Sequence, residues 1–475
     1  MTIRKILVAG LAVTMTAEAQ RGIPSDWQAV MNRIRPESIR GHLSFLASDL
    51  LEGRGTPSRG LDIAAEYIAS EFRRAGLEPA AGNGDSYYQR LDLREAAVDL
   101  EGFECRVFDA GKDVTVAGVP LSKDGIDVNR EPLLPVSSAS VVSPGAVVVY
   151  RASATDSMDV LKQLGASQAK VVVVVDPTGR LARAALRIPV VRAGREPRVA
   201  SGRWLFVASF PEHLAPDARI TVRAKPVAIR KLAASNVVAL LRGSDPLLRD
   251  TYVVVSAHYD HEGMRLFGTG DRVFNGANDN ASGVTGVLEL AASMAVLPER
   301  PKRSILFATF AAEEDGLLGS AEFVDHSPVP LAGIVANINF EHLGRPDADN
   351  TSYLGKAAIT GFDFSTISAT LVEAGKLSGF QFIKHEKYSD PFFEASDNLS
   401  FANRGIPAHT VSNGYLFPEY HAVGDEWEKI DVNNMAALVR SVGLGVLTMA
   451  DDVRKPQWNE TNEKTIMYRH PSSGQ

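Results

Sequence analysis

Apolar positions recur at helical spacing through residues 58–76 (SRGLDIAAEYIASEFRRAG), where Leu61, Ala64, Ala65, Ile68 and Phe72 make one stripe. Ser58 stands where an N-cap belongs and Gly76 at the C′ position, so the pattern predicts a packing helix with a solvated charged face. From residue 96 to 233 the texture changes to short β-branched runs. These are Val147–Tyr150, Val171–Val175, Ile188–Val191, Trp204–Val207 and Ile220–Val222, with a helical pattern at Ser157–Leu164. They predict an inserted β-rich domain. After Asn236 the chain alternates between β and α. Val237–Leu241, Tyr252–Val255, Ile305–Phe310 and Ile334–Ile338 are the short apolar runs of strands buried on both faces. Ser282–Leu297, Leu318–Val324 and Ser365–Leu377 carry helical spacing. The expected fold is α/β, with a mixed, mostly parallel central sheet covered by helices.

Composition narrows the function classes. The 475 residues are 45% hydrophobic and 23% charged, with 50 basic against 57 acidic side chains and a net charge of −7. A mildly acidic chain without a basic run argues against nucleic acid as a partner. Cys105 is the single cysteine, so an internal disulfide and thiolate metal sites are excluded. Arg4 and Lys5 precede the apolar stretch Ile6–Met15, and Ala17-Glu18-Ala19 reads as a cleavage site. Residues 1–19 therefore read as a signal peptide, which implies a periplasmic or extracellular protein. No later segment offers about eighteen consecutive apolar residues, so no stable membrane insertion is expected of the mature chain.

Ionisable residues gather where the predicted strands end, the edge at which open α/β sheets bind ligands. Tyr252–Val255 runs into Ser256-Ala257-His258-Tyr259-Asp260, in which His258 and Asp260 share a face if the segment is extended. Ile305–Phe310 runs into Glu313-Glu314, Ile334–Ile338 into Glu341, and Asp279 lies immediately before a helix. One such pair alone is an ordinary polar turn. Several at one sheet edge would repel one another unless a cation neutralised them. A mixed imidazole and carboxylate set without thiolate suits zinc, or a similar divalent ion such as manganese or cobalt.

Five motifs carry a resemblance. Ser256–Gly263 (SAHYDHEG), Asn275–Gly283 (NGANDNASG), Phe310–Ser320 (FAAEEDGLLGS), Ile338–Arg345 (INFEHLGR) and Tyr420–Asp431 (YHAVGDEWEKID) resemble, in order and spacing, the M28 family of co-catalytic zinc peptidases. Leu43–Arg54 (LSFLASDLLEGR) resembles the family's opening segment. The resemblance implies a zinc-peptidase-like catalytic domain in two parts, residues 20–95 and 234–455. Residues 96–233 resemble a divergent protease-associated domain, and 456–475 are expected as a C-terminal tail.

Carried over by motif, the resemblance implies two divalent ions, most simply Zn2+. His258 and Glu341 would hold one ion, Glu314 and His421 the other, and Asp279 would bridge. Glu313 would be the general base, Asp260 would support the ligands, and Tyr420 would face the developing oxyanion. The peptide bond after Asp279 would be cis. Glu341 is one methylene longer than the family's usual aspartate, and Ser396-Asp397-Asn398 has Asn398 where the family has histidine. His261 and His342 adjoin motifs without a matching role and read as structural. The implied activity is hydrolysis of peptides or small proteins, most simply as an aminopeptidase. A carboxypeptidase-like or dipeptidase action, a glutaminyl-cyclase-like reaction and a metal-free binding role remain open at this point.

Overall fold

The computed structural model describes residues 22–470 apart from 154, 187–189, 200, 266, 268–269 and 349–353. The expected leader, residues 1–19, lies outside the described residues. The helix anticipated at 58–76 spans Arg59–Arg74, and the Ser58 hydroxyl accepts a hydrogen bond from the Leu61 amide. Its buried positions include the whole predicted stripe, from Leu61 to Phe72, together with Gly60 and Ala69.

The central sheet is mixed, and its middle is parallel. Tyr252–His258 lies between Ser304–Phe310 and Ile334–Glu341, parallel to both, and Ala408–Ser412 runs parallel beyond Ile334–Glu341. Antiparallel strands flank this block, with Lys356–Ile359 on one side and Ala228–Leu241 on the other. Side chains alternate between two cores. Val253, Val255, Ile305 and Phe307 pack under the helices Arg59–Arg74, Ser282–Met294 and Val432–Asp451. Val254, Leu306, Ala308 and Phe310 face Phe323 and Phe401 on the other side. Period-two alternation with both faces covered is why these strands read as unbroken apolar runs.

Residues 104–224 build a second, eight-stranded sheet with its own core, which includes Val107, Val149, Val173, Leu205 and Ile220. This unit hangs from a long two-stranded ribbon. Tyr88–Ala97 and Ala228–Leu241 pair antiparallel from Tyr88↔Val237 out to Ala97↔Ala228. One expectation is corrected here: of the run at 188–191, the described part joins the central sheet rather than the second. Its described end, Val191–Arg192, pairs with Leu93 and Arg94 at the edge of the central sheet. The stretch after 455 also differs from a free tail. Trp458 bridges to Ser365 and stacks on Tyr468 at 5.6 Å, and the pair covers Phe393.

Candidate metal centre

Backbone geometry brings the ionisable residues to one sheet edge. In the register, His258 lies opposite Phe310, and Ser256 opposite Asn339, so the parallel strands end side by side. Adjacent glutamates would point apart in an extended chain. Ala312, at φ 56°, turns the backbone after Phe310 and lets Glu313 and Glu314 both reach the cluster. Asp279 comes from the loop before Ser282–Met294, and the Asp279–Asn280 bond is cis. His421 arrives from the far end of the chain.

Two groups of ligand atoms form around Asp279, which gives one carboxylate oxygen to each. On one side His258 Nε2 lies 3.0 Å from Glu341 Oε1 and 3.4 Å from Asp279 Oδ1. On the other, His421 Nε2 lies 3.2 Å from Asp279 Oδ2 and 3.5 Å from Glu314 Oε1. Glu313 Oε2 is 3.9 Å from His258 Nε2, at the edge of the first group. Tyr420 stacks on His421 with ring centroids 4.0 Å apart. All the side chains expected at the site thus converge, Glu341 included.

The supporting contacts explain how these groups are held. Asp260 accepts the backbone amides of Glu313 at 3.1 Å and Glu314 at 3.3 Å, which fixes the turn that carries both. Asn280 Nδ2 donates to Glu341 Oε2 at 2.8 Å, and Ser396 Oγ donates to the same oxygen at 3.3 Å. Those two donors steady the longer side chain. Asn398 turns away from the cluster, donating to the Phe393 carbonyl and accepting from Thr410 Oγ1.

The profile of peptidase family M28 matches residues 236–444, the span that carries every one of these side chains. Over that span the chain is similar to the family. It is 24% identical to the probable lipoprotein aminopeptidase LpqL of Mycobacterium tuberculosis strain H37Rv over 90% of each chain. An aminopeptidase of Pseudomonas aeruginosa strain UCBPP-PA14 is 32% identical over 46% of this chain, a match that spans 36% of the Pseudomonas protein. In fold the chain resembles BSAP, a zinc aminopeptidase from Bacillus subtilis, with a TM-score of 0.56 and 19% identity over 87% of this chain and 94% of that one.

The electrostatics of this centre follow from burying many carboxylates together. Burial, reinforced by Glu341, Asp397 and Glu314, pushes the Glu313 carboxyl well above its ordinary range despite His258. Burial and Asp279 push Glu314 upward too, but His261 and His421 outweigh them and hold it down at about 2. Asp279 is likewise held well below its usual value, because the imidazoles around it overcome its burial. Without a cation present, the proton affinity of one member of the set is thus raised while that of its neighbours is lowered. Such a divergence marks acid/base division of labour.

Several residues at the centre were not singled out by motif. Arg54, fully buried, donates to the carbonyls of Tyr259 at 2.8 Å, Asn275 at 2.7 Å and Gly276 at 2.9 Å, and to Leu46. It ties the opening segment to both ligand loops, and its place in the Leu43–Arg54 motif was the available signal. Asp425 accepts the amides of Asn278 and Asp279, each at 3.0 Å, and so fixes the bridging loop. The structural reading of His261 and His342 needs correction. His261 Nδ1 lies 2.9 Å from Glu314 Oε1, and His342 Nε2 lies 3.5 Å from Asp279 Oδ1. Both imidazoles face the ligand cluster.

Proposed function

We propose that this M28-like zinc peptidase is an exported aminopeptidase that works with two divalent ions. The donor chemistry fits such ions: imidazole nitrogens and carboxylate oxygens lie close enough together to share a cation, and the His342 Nε2 among them is buried without a hydrogen-bond partner. His258, Asp279 and Glu341 would hold one ion, and Asp279, Glu314 and His421 the other. Bound there, the ions supply Lewis-acid polarisation of the scissile carbonyl and acidify the attacking water.

The chain's own residues do the rest. Glu313 takes the proton of the attacking water and delivers it to the leaving amine, a role suited to a buried carboxyl whose proton affinity is raised. Asp260, by holding the amides of Glu313 and Glu314, keeps base and ligand in fixed relation. Tyr420 faces the developing oxyanion. The observation that carries the reading is the division of Asp279, whose two oxygens face separate imidazole–carboxylate groups.

Charge favours an amino-terminal substrate. A cavity of about 330 Å3 opens beside Glu314 and His261, between the catalytic sheet and the second domain. Glu95, Glu262 and Asp315 also line it, with Arg183 as the cation, already paired to Glu262. A pocket with this excess of carboxylates receives an α-ammonium group better than a C-terminal carboxylate. Export is supported by the basic start, apolar stretch and small-residue cleavage site of residues 1–19, and by the lipoprotein naming of the mycobacterial relative. The deciding assay compares an aminoacyl-4-nitroanilide, its N-acetylated form and a peptide blocked at its C-terminus. Cleavage of the first and last only is expected. Preference for the acetylated substrate, or for a free C-terminus, would overturn the aminopeptidase reading.

A further inference from the structure

We propose that His342 and His261 are themselves metal ligands, so that each ion of the pair is held by two imidazoles and two carboxylates. This rests on the two-ion reading above and extends the ligand set that the motifs imply. The support is geometric. An ion held at 2.0–2.1 Å by four protein atoms, with a fifth position left for water, has neighbouring ligand atoms about 2.9–3.6 Å apart. Around the first position, His258 Nε2 is 3.0 Å from Glu341 Oε1 and 3.4 Å from Asp279 Oδ1. His342 Nε2 is 3.5 Å from that same Asp279 oxygen and 3.8 Å from Glu341 Oε1. Around the second, His421 Nε2 is 3.2 Å from Asp279 Oδ2 and 3.5 Å from Glu314 Oε1. His261 Nδ1 is 3.6 Å and 2.9 Å from the same two atoms. The added imidazoles sit at ligand spacing, one per position.

For His342, ring orientation points the same way. A ligating histidine has its second nitrogen occupied by a carbonyl or carboxylate, which fixes the tautomer and aims the free lone pair at the metal. His342 Nδ1 lies 3.1 Å from the Gly414 carbonyl, while Nε2 faces the cluster and has no hydrogen-bond partner. His258 has the same arrangement, with Nδ1 3.2 Å from the Asp260 carbonyl. An imidazole only 4% exposed, with a free nitrogen pointing at two carboxylates, is costly unless a cation or proton lies between them. His342 reaches this place through a left-handed backbone at φ 50°, one residue after its strand delivers Glu341. His261 is 2% exposed and presses its ring against Gly276, where a Cβ would lie 2.5 Å from its Cδ2. The absence of a side chain at Gly276 leaves room for the ring.

The test uses the full protein and measures ion retention. Wild type, His342→Met and His261→Gln are stripped of metal, then titrated with Zn2+ against a competing chelator, with bound zinc counted directly. Methionine keeps His342's packing against Phe417 and Tyr420 but is a poor zinc ligand. Wild type should bind two ions. Each variant should retain one ion as before and hold the other at least about 100-fold more weakly, beyond the 10–100-fold typical of outer-shell changes. The visible spectrum of the Co2+-substituted protein should also change in each variant. Circular dichroism of the ion-free forms checks folding, and His342→Gln replaces His342→Met if the latter does not fold. If wild type binds two ions and both variants match its affinities and cobalt spectrum, the added ligands are overturned while the two-ion reading stands. If wild type binds fewer than two, the two-ion reading fails and takes this inference with it.

Discussion

Glu313 and Glu314 are neighbours in sequence with opposite electrostatic fates, and that contrast can be measured. Glu313→Gln keeps the size of the side chain and removes its basic oxygen. It should retain metal while kcat falls by roughly 10²–10⁴-fold, the usual worth of a positioned general base. Glu314→Gln should instead lose metal, seen as reduced stoichiometry after dialysis. Full activity in Glu313→Gln would remove it from the reaction. A second residue gives a pH dependence far from the centre. Buried His409 donates from Nδ1 to the Thr360 carbonyl at 2.7 Å and lies 2.6 Å from Ser365 Oγ. Burial pulls its value from 6.5 down to about 4. The neutral ring therefore contributes stability that is complete above pH 6.5 and is lost as pH falls through 4, up to about 3 kcal/mol. Urea unfolding of His409→Gln should show a flatter pH profile across that window. Residue chemistry was legible in sequence where a motif named it. His342 was not, because nothing in a local pattern signals the positive φ that swings a non-glycine side chain inward.

Among the elements, the loop before Ser282–Met294 depends on a residue nearly 150 positions away. Asp425, 1% exposed, accepts the Asn278 and Asp279 amides. Asp425→Ala leaves those donors buried and unpaired, at a cost of about 1–3 kcal/mol each. A lower unfolding midpoint together with weaker zinc retention is expected, and unchanged retention would show that the loop keeps its shape without the anchor. The central strands were legible because burial on both faces makes them continuous apolar runs. Ala408–Ser412 (AHTVS) was not, since its polar residues are satisfied by neighbouring elements, as when Asn339 Nδ2 on the paired strand donates to Thr410 Oγ1 at 3.2 Å. The helix Val432–Asp451 escaped for a different reason. Gly443 and Gly445 weaken a helical reading, yet a Cβ there would meet Met31 at 2.4 Å and Leu371 at 2.6 Å. Close packing, invisible in local spacing, demands the glycines.

At the scale of the whole molecule, Arg183 carries a contact from the second domain to the chemistry. Arg183 pairs with Glu262, which is 3.2 Å from His421 Nδ1, and its guanidinium lies 3.9 Å over the Phe274 ring. Arg183→Ala should leave Glu262, almost wholly buried, without that cation and loosen His421. A lower melting temperature is expected, by about 1 °C for each kcal/mol lost at this chain length, with a fall in kcat/KM measured on the same preparation. Unaltered kinetics would confine Arg183 to packing. Motif order made the two-part catalytic domain legible, whereas the contacts between domains had no local pattern to reveal them. The ribbon that suspends the second domain has an evolutionary consequence. Ala97 and Ala228 face each other as partners in one ladder, so the segment between them starts and ends at adjacent points, and Val191–Arg192 is its one described strand that returns to the sheet edge. A tight turn between those two residues would close an ordinary hairpin without altering the order of the central strands. The second domain is thus grafted onto a hairpin tip, a place where an ancestral gene could gain or exchange a whole module while the strands that end at the metal ligands kept their neighbours.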